Sequence, residues 1–512
     1  MRKLLFAVLI TVTLVASEAR VYASEFLELV ESFLPVESMQ RAGTWTYYLE
    51  LKSEFSHELT ESVSDNRAFL ARLQHYWVDD FSGFARIIVD TVEDAHPIFI
   101  LGSVAAEHGL TGLPVLPVDY LERRDEYLSV TSGYITRAEF VFATQRYLTM
   151  LQDGHMSGGF LMDGFTGGPF LAAGFIDVEW TYHDGGLYLP DGGRVLAIGG
   201  VPVPYVLEQI DRHYFAENNA ARQFLYSVKS RYMSMVYMAG GRSGYDTINV
   251  LLDDGPLQYD IAMDFPAELL GEETDYIIDF YMIGDDIFYI DLRAFVDGPH
   301  IDYAVAAIEE AVAGGVRRFI LDLRGNSGGN SFVGARLIYA MGGATTPTYG
   351  GMRRASGLFV EHIEWMLGSG IIHDETMFTM VEGMLQEIKA AYQGPGYIVS
   401  MPNPDSASNP AGVFISVLTD SATFSSARMT GIWVQDGNLG NIIGMPSRNS
   451  PVSFGEMMQV NIQDSFFGLA TSTALWLRPS QDAVQDTLVP DILVEEGDAL
   501  EVAVEFLINK RR

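Results

Sequence analysis

Apolar and polar positions change rhythm three times along the chain. Phe26, Leu27, Leu29, Val30 and Phe33 recur at helical spacing, as do Phe140, Phe142, Tyr147, Leu148 and Leu151 between Thr136 and Gln152. Thr136 and Glu139 form the T-x-x-E pattern of a capping box, so the second of these helices is predicted to start there. From about Gly158 to Phe265 glycine becomes frequent and short β-like runs take over, among them Leu187–Leu189, Val195–Ile198 and Ile248–Leu252. One helical stretch, about Asn218 to Met238, interrupts them. From about Thr274 strands alternate with helices: strands over Phe288–Leu292, Arg318–Leu323 and Val413–Leu418, helices over Ile301–Ala313, Phe332–Tyr339 and Ser426–Val434. That alternation predicts a parallel sheet with helices packed on it, and places chemistry at the carboxyl ends of its strands. The mature chain thus divides into a helical region (24–158), a β-rich region (159–270) and an α/β region (271–512). The segment from about Ser356 to Gln393, with Trp365, has helical spacing and is expected to be a packed insertion, a mobile cover being the alternative.

The N-terminus has a different character. Arg2 and Lys3 precede an uncharged run, Leu4 to Ala16, shorter than the roughly 20 residues that span a bilayer. Small residues offer cleavage after Ala16 or Ala23, so residues 1–23 read as a secretory signal peptide. The protein is therefore expected to be exported, to the periplasm or the medium, with no membrane anchor.

Composition narrows the function. The 512 residues, 48% hydrophobic, can bury a large core without metal or disulfide support. With 67 acidic against 32 basic residues the formal charge is -35, which argues against nucleic acid and anionic lipid as partners. The absence of cysteine excludes disulfides, thiolate metal sites and a thiol nucleophile, and no cofactor or metal is expected. The only lysines are Lys3, Lys52, Lys229, Lys389 and Lys510.

Three loops can carry chemistry. Asp322 to Gly329 (D-L-R-G-N-S-G-G) ends a buried strand, and its paired glycines can leave backbone N–H groups open to an oxyanion or simply make a tight turn. Thr423-Phe424-Ser425-Ser426-Ala427 follows another buried strand and opens a helix, where a serine can be a nucleophile or an ordinary cap. Leu151-Gln152-Asp153-Gly154-His155 follows a long helix, and its histidine can be a general base or a surface turn residue.

Together and in this order the loops resemble the tail-specific, or C-terminal processing, serine peptidases and their tricorn-like relatives. Asp322–Gly329 is similar to the D-x-R-x-N-x-G-G element of that family, and Thr423–Arg428 to its nucleophile loop, which puts the nucleophile at Ser425. Gly444-Met445-Pro446-Ser447 falls at the distance of a Gly-Glu-Pro-Thr-like segment, and Pro490-Asp491-Ile492 resembles the element that closes the core. Leu151–His155 is similar to the L-x-D-G-H of members with a catalytic histidine, and Gly193–Gly200 to a strand-turn of a PDZ-like domain.

The resemblance implies a ClpP/crotonase-like parallel-sheet core, a helical N-terminal region and a PDZ-like β-rich domain. It also implies a serine peptidase acting on proteins or peptides. The position of the lysine in the Ser-Lys branch is Ser450, and no lysine lies between Lys389 and Lys510. Arginine stays protonated and cannot replace it. The implied base is then His155, with Glu456 as the first choice to orient it and Asp486 as the second. The implied oxyanion donors are the N–H groups of Gly328, Gly329 and Ser426. The family glutamates after the nucleophile and in the Gly-Glu-Pro-Thr segment are Arg428 and Met445 here. The alternative is an inactive relative that binds peptides or apolar ligands.

Overall fold

The protein is described by a computed structural model covering residues 78–160, 174–243, 247–262, 277–342, 344–370, 372, 375–461, 467–480, 486–495 and 497–510. The expected signal peptide (1–23) and the apolar helix around Phe26–Phe33 lie outside the described residues. Among the described residues no helix is long and apolar enough to cross a membrane.

A short strand β1 (Val78–Asp80) leads into helices α1 (Ser82–Ala95), α2 (Ile98–His108) and α3 (Tyr120–Val130). Strand β2 (Tyr134–Thr136) pairs back onto β1 and opens α4 (Arg137–Leu148). The cap of α4 forms as its sequence predicts: the Glu139 N–H donates to Thr136 Oγ1 (3.0 Å), and the Thr136 N–H donates to the Glu139 carboxylate (2.7 Å). The helix tightens into a 3₁₀ turn at Thr149–Leu151, and Gln152 at φ 56° turns the chain away. Asp153, Gly154 and His155 therefore stand on the bend before β3 (Ser157–Phe160).

The glycine-rich stretch forms strands β4 (Phe175–Ile176), β5 (Thr181–His183), β6 (Gly186–Tyr188), β7 (Arg194–Ile198) and β8 (Val201–Pro202). After helices α5 (Val203–His213), α6 (Asn219–Lys229) and α7 (Met233–Met238) come β9 (Thr247–Leu252) and β10 (Gly255–Ala262). The seven strands make one antiparallel sheet in the order β4, β10, β9, β7, β6, β5, with β8 on β7. Val206, Ile210, Tyr226 and Val236 pack with Val195, Ile198 and Val250 in its core. The single helix expected over 218–238 is broken at Ser230–Tyr232. There the Ile176 N–H donates to the Arg231 carbonyl (2.9 Å) and Tyr232 bridges to Phe175, so strand pairing displaces helix continuation.

The α/β region runs β11 (Ile278–Ile283), β12 (Ile287–Leu292), α8 (Pro299–Ala313), β13 (Arg318–Asp322), α9 (Ser331–Gly342) and β14 (Gly350–Arg354). It continues with α10 (Gly357–Ser369), α11 (Glu375–Tyr392), β15 (Tyr397–Ser400), β16 (Phe414–Thr419), α12 (Ser426–Asp436) and β17 (Gly440–Gly444). It closes with β18 (Ser453–Asn461), β19 (Phe467–Leu477), β20 (Ile492–Leu493) and α13 (Ala499–Asn509). Six strands form one sheet in the order β11, β12, β13, β16, β17, β20, parallel except for β11. Every position of β12 is buried, as expected of a strand covered on both faces. Phe288, Ile290 and Leu292 meet residues of α8, α9 and α12, whereas Ile287 and Tyr289 meet Ala503 and Leu507 of α13.

A second, antiparallel sheet in the order β15, β14, β19, β18, with β3 also on β19, is not announced by the strand-helix alternation. Phe454, Phe467 and Leu469 of this sheet bury against Phe140 and Leu148 of the N-terminal helices. The pairing of β3 with β19 fixes the bend that carries His155 against the α/β region. Helices α10 and α11 fill the 356–393 segment, where Phe359, Ile363, Leu385 and Ile388 pack with Met458.

Candidate functional site

The loops that leave β13, β16 and β17 meet at the carboxyl end of the parallel sheet, where strand ends leave a crevice in such folds. Ser425 sits between β16 and α12 with φ 51° and ψ -121°. A non-glycine residue in that region costs about 1–3 kcal/mol and persists only when its surroundings hold it. Here Asn449 Oδ1 accepts the Ser425 N–H (3.1 Å), Asn326 O accepts the Phe424 N–H (3.0 Å), and Thr423 Oγ1 donates to Leu323 O (2.9 Å).

The loop Leu323–Gly329 is braced from below. Asp322, fully enclosed, accepts from the Tyr289 hydroxyl (2.9 Å) and the Arg324 guanidinium (2.7 Å). The buried Asn326 amide donates to Leu292 O (2.7 Å), and its Oδ1 accepts the Gly328 N–H (2.8 Å). Gly328 has φ 100°, and a Cβ there would lie 2.7 Å from Ser425 Cβ and 2.9 Å from Ser426 N. Of the three expected oxyanion donors, Gly328 thus has its N–H committed to Asn326. Ser426 is the first residue of α12, so its N–H has no acceptor within the helix. Its hydroxyl donates to Gly329 O (2.6 Å), which pins the glycine beside the helix start.

His155 reaches the same place from the N-terminal region. Its ring lies 4.5 Å, centroid to centroid, from that of Phe424, the residue before Ser425. The side chain is 7% exposed, and neither ring nitrogen has a hydrogen-bond partner among the described residues. Nδ1 stands 3.4 Å from Asp153 Oδ1, which also accepts the His155 N–H (2.8 Å) in a tight i, i+2 turn. The other Asp153 oxygen is 3.2 Å from Nε2 of His96, a fully buried imidazole. His96 Nδ1 accepts the Ile98 N–H (3.3 Å), which leaves Nε2 as the donor to Asp153. Burial pushes the Asp153 carboxyl up, but its interactions with His155 and His96 outweigh that and hold it well below the usual carboxylate range.

A second carboxylate arrives from the β-rich region. Glu217, between α5 and α6, accepts from Asn449 Nδ2 (2.7 Å) and from the Ser450 N–H (2.8 Å) through Oε2. Burial raises its pKa, partly offset by the His155 charge. A Cβ on Gly154 would lie 2.7 Å from Glu217 Oε1, so only a glycine lets this carboxylate approach the bend so closely. Asp153, His155 and Glu217 offer ligand atoms within 4.8 Å of one another, a grouping able to hold a metal ion.

Glu456, the first-choice orienting carboxylate, is placed differently. On β18 at φ 56°, its carboxylate pairs with Arg353 (2.6 Å), whose guanidinium also covers the Trp476 ring (4.8 Å). No contact joins it to His155 among the described residues; the carboxylate beside that imidazole is Asp153. Asp486 is exposed and takes part through its backbone carbonyl, which accepts from Asn218 and Ser450. Arg428 is buried and bonded to Asn449, Tyr349, Pro451 and Ser453, so it braces the loop that positions Ser425. Sequence reasoning missed Asp153 although it stands in the quoted motif, its signal being a carboxylate two residues before a histidine. It also missed His96, Glu217 and Asn449, which carry no local signature.

Cations flank the site. The Arg448 guanidinium lies between the Phe224 ring (4.0 Å) and the Phe424 ring (4.6 Å), and burial lowers its pKa to about 10. Lys229 stands over Tyr214 (4.9 Å) and Tyr232 (4.4 Å); burial, with the Arg448 charge behind it, brings its pKa down to about 7.

Residues 286–494 match the model of the family described as peptidase family S41. None of the curated proteins matches the chain. The solved structure of mature CPAF complexed with lactacystin is 11% identical, covering 86% of this chain and 98% of that one, with a TM-score of 0.54, a likeness of fold. The photosystem II D1 C-terminal processing protease is 14% identical, covering 83% and 96%, with a TM-score of 0.40. A lipoprotein from Streptococcus agalactiae is 12% identical, covering 84% and 97%, with a TM-score of 0.38.

Proposed function

We propose, for a chain that belongs to peptidase family S41 through residues 286–494 and is a serine-type peptidase, that it cleaves protein or peptide substrates through an acyl-enzyme on Ser425 with His155 as general base. His155 takes the Ser425 Oγ proton as Oγ attacks the peptide carbonyl, then gives it to the departing amine. Water, deprotonated by the same imidazole, resolves the ester. The N–H groups of Gly329 and Ser426 receive the oxyanion, and the N-terminal end of α12 adds positive potential. We assign the orienting role to Asp153 in place of Glu456, because its ionised carboxylate stands against His155 Nδ1.

One observation carries this reading: a serine in a strained turn at a helix start follows a phenylalanine whose ring lies tilted against a buried imidazole, 4.5 Å between centroids, with Asp153 on the Nδ1 side of that imidazole. We further read the six-stranded sheet as a ClpP/crotonase-like core and the seven-stranded sheet as a PDZ-like domain that receives an extended peptide by strand addition. Residues 1–23 remain a proposed export signal, which N-terminal sequencing of the exported protein tests.

The central test pairs a fluorophosphonate probe with Ser425→Ala and His155→Ala. Labelling should map to Ser425, and both variants should lose hydrolysis of an unfolded, dye-labelled protein. Full activity in either variant overturns the assignment. A folded wild-type protein that takes up no label is the outcome expected of a non-catalytic binder.

A further inference from the structure

Two side chains at one spot carry buried polar atoms without a hydrogen-bond partner among the described residues: His155 at both ring nitrogens, and Glu217 at Oε1. A buried polar atom left so costs free energy, which a ligand can recover. One ligand atom from each of Asp153, His155 and Glu217 lies within 4.8 Å of the other two.

The cluster is held in place from outside. Glu217 Oε2 is fixed by Asn449 and Ser450, which leaves Oε1 directed at the Asp153–His155 bend through the gap that Gly154 provides. Asp153 gives one oxygen to His96 and keeps the other on the His155 side. An imidazole behind a carboxylate ligand is the kind of outer support that orients metal ligands.

We propose that Asp153, His155 and Glu217 form a site for a divalent cation of the zinc class, and that its occupation shuts the peptidase off. One imidazole nitrogen and two carboxylate oxygens leave a fourth position for water, a donor set that suits tetrahedral Zn²⁺. Ca²⁺ and Mg²⁺ are disfavoured, since they take six or more oxygens. Bonds of about 2.0–2.2 Å require ligand atoms roughly 3.5 Å apart, so the bend and the Glu217 loop close slightly around the ion. Glu217 belongs to the β-rich region and His155 to the N-terminal region, so the ion ties the two together. A neutral imidazole bound to the metal through one nitrogen carries its proton on the other, so it has no lone pair left to accept the Ser425 proton. The shut-off thus rests on the reading of His155 as base, whereas the binding does not.

The two are separated by experiment. Zn²⁺ is titrated into metal-free full-length Ser425→Ala protein against a chromophoric chelator, which reports binding without any turnover. One equivalent should bind at micromolar affinity or tighter, and Co²⁺ should give the intense visible absorption of a tetrahedral complex. Glu217→Gln and His155→Ala, each placed in the Ser425→Ala protein and checked by thermal melting, should each weaken binding about 10-fold or more. Absence of stoichiometric binding, or binding that neither variant weakens, overturns the site. In the wild type, hydrolysis should fall with the same midpoint and return on chelation. Binding weakened by both variants, with hydrolysis unaffected by Zn²⁺, upholds the site and overturns His155 as the base.

Discussion

Gly328→Ala probes how the Ser425 turn is held. Gly328 has φ 100°, and an added Cβ would meet Ser425 Cβ at 2.7 Å, with Phe424 O and Ser426 N at 2.9 Å. Ordinary contact begins near 3.4 Å, so the Ser425 turn must retreat by roughly 0.7 Å, and two of the three obstacles are backbone. Gly325, in the same loop, is the matched control: it has φ 76°, and its nearest neighbour, Arg293 Nη1, is 3.9 Å away. Alanine at either position costs about 1–2 kcal/mol of backbone strain. Only at Gly328 does it also move Ser425, the proposed nucleophile, and Ser426. A misplacement near 1 Å costs on the order of 10²-fold in rate, about 2.7 kcal/mol of transition-state stabilisation. The assay is kcat/KM on a quenched fluorescent protein substrate, with the rate of fluorophosphonate labelling and a thermal melt beside it. Both variants should melt a few degrees below wild type, while Gly328→Ala alone loses about 10²-fold in kcat/KM and in labelling rate. Equal rates for the two variants refute the argument that Gly328 sets the position of Ser425.

Asp153→Asn should lower kcat by roughly 10³–10⁴-fold, because an amide cannot hold the imidazole as a carboxylate does, whereas Glu456→Gln should stay within about threefold of wild type. The reverse ranking returns the orienting role to Glu456. The Asp153 carboxyl is held below its unfolded value near 3.9, so the stability it contributes is complete above that pH and is lost as pH falls through the lower folded value. Melts of wild type and Asp153→Asn should therefore differ most near pH 7 and converge towards pH 2. Lys229 shows the opposite case: its folded pKa, about 7, lies below the unfolded value near 10.4, so its burial penalty is full below pH 7 and fades as pH rises from 7 to about 10. Lys229→Met should raise the melting temperature more at pH 6 than at pH 10, and a pH-independent gain counts against a desolvated ammonium.

The elements of the α/β region were legible because each carries its own period. The fully buried run at Ile287–Leu292 and the apolar faces of α8 and α12 announce themselves within a few residues. The cap at Thr136 is equally local. Where a distant partner decides, local reading errs: α6 and α7 separate because Ile176, some 55 residues away, claims the carbonyl of Arg231. The antiparallel sheet escapes for the same reason, since β3 and β19 are sequence-remote partners.

By itself the sequence determined the strand-helix alternation of the α/β region and the three loops with their serine, imidazole and glycines. It also excluded a lysine base in the usual place, because Lys389 and Lys510 leave none between them. These are facts of residue type, period and turn chemistry, which a short stretch of chain expresses alone. Only the tertiary structure decided which carboxylate attends His155, that Glu217 reaches it from the β-rich region, and that Gly328 has its N–H committed to Asn326. The physical reason is that a carboxylate's partner is set by which buried groups it cannot avoid. That depends on how segments far apart in the chain pack against one another.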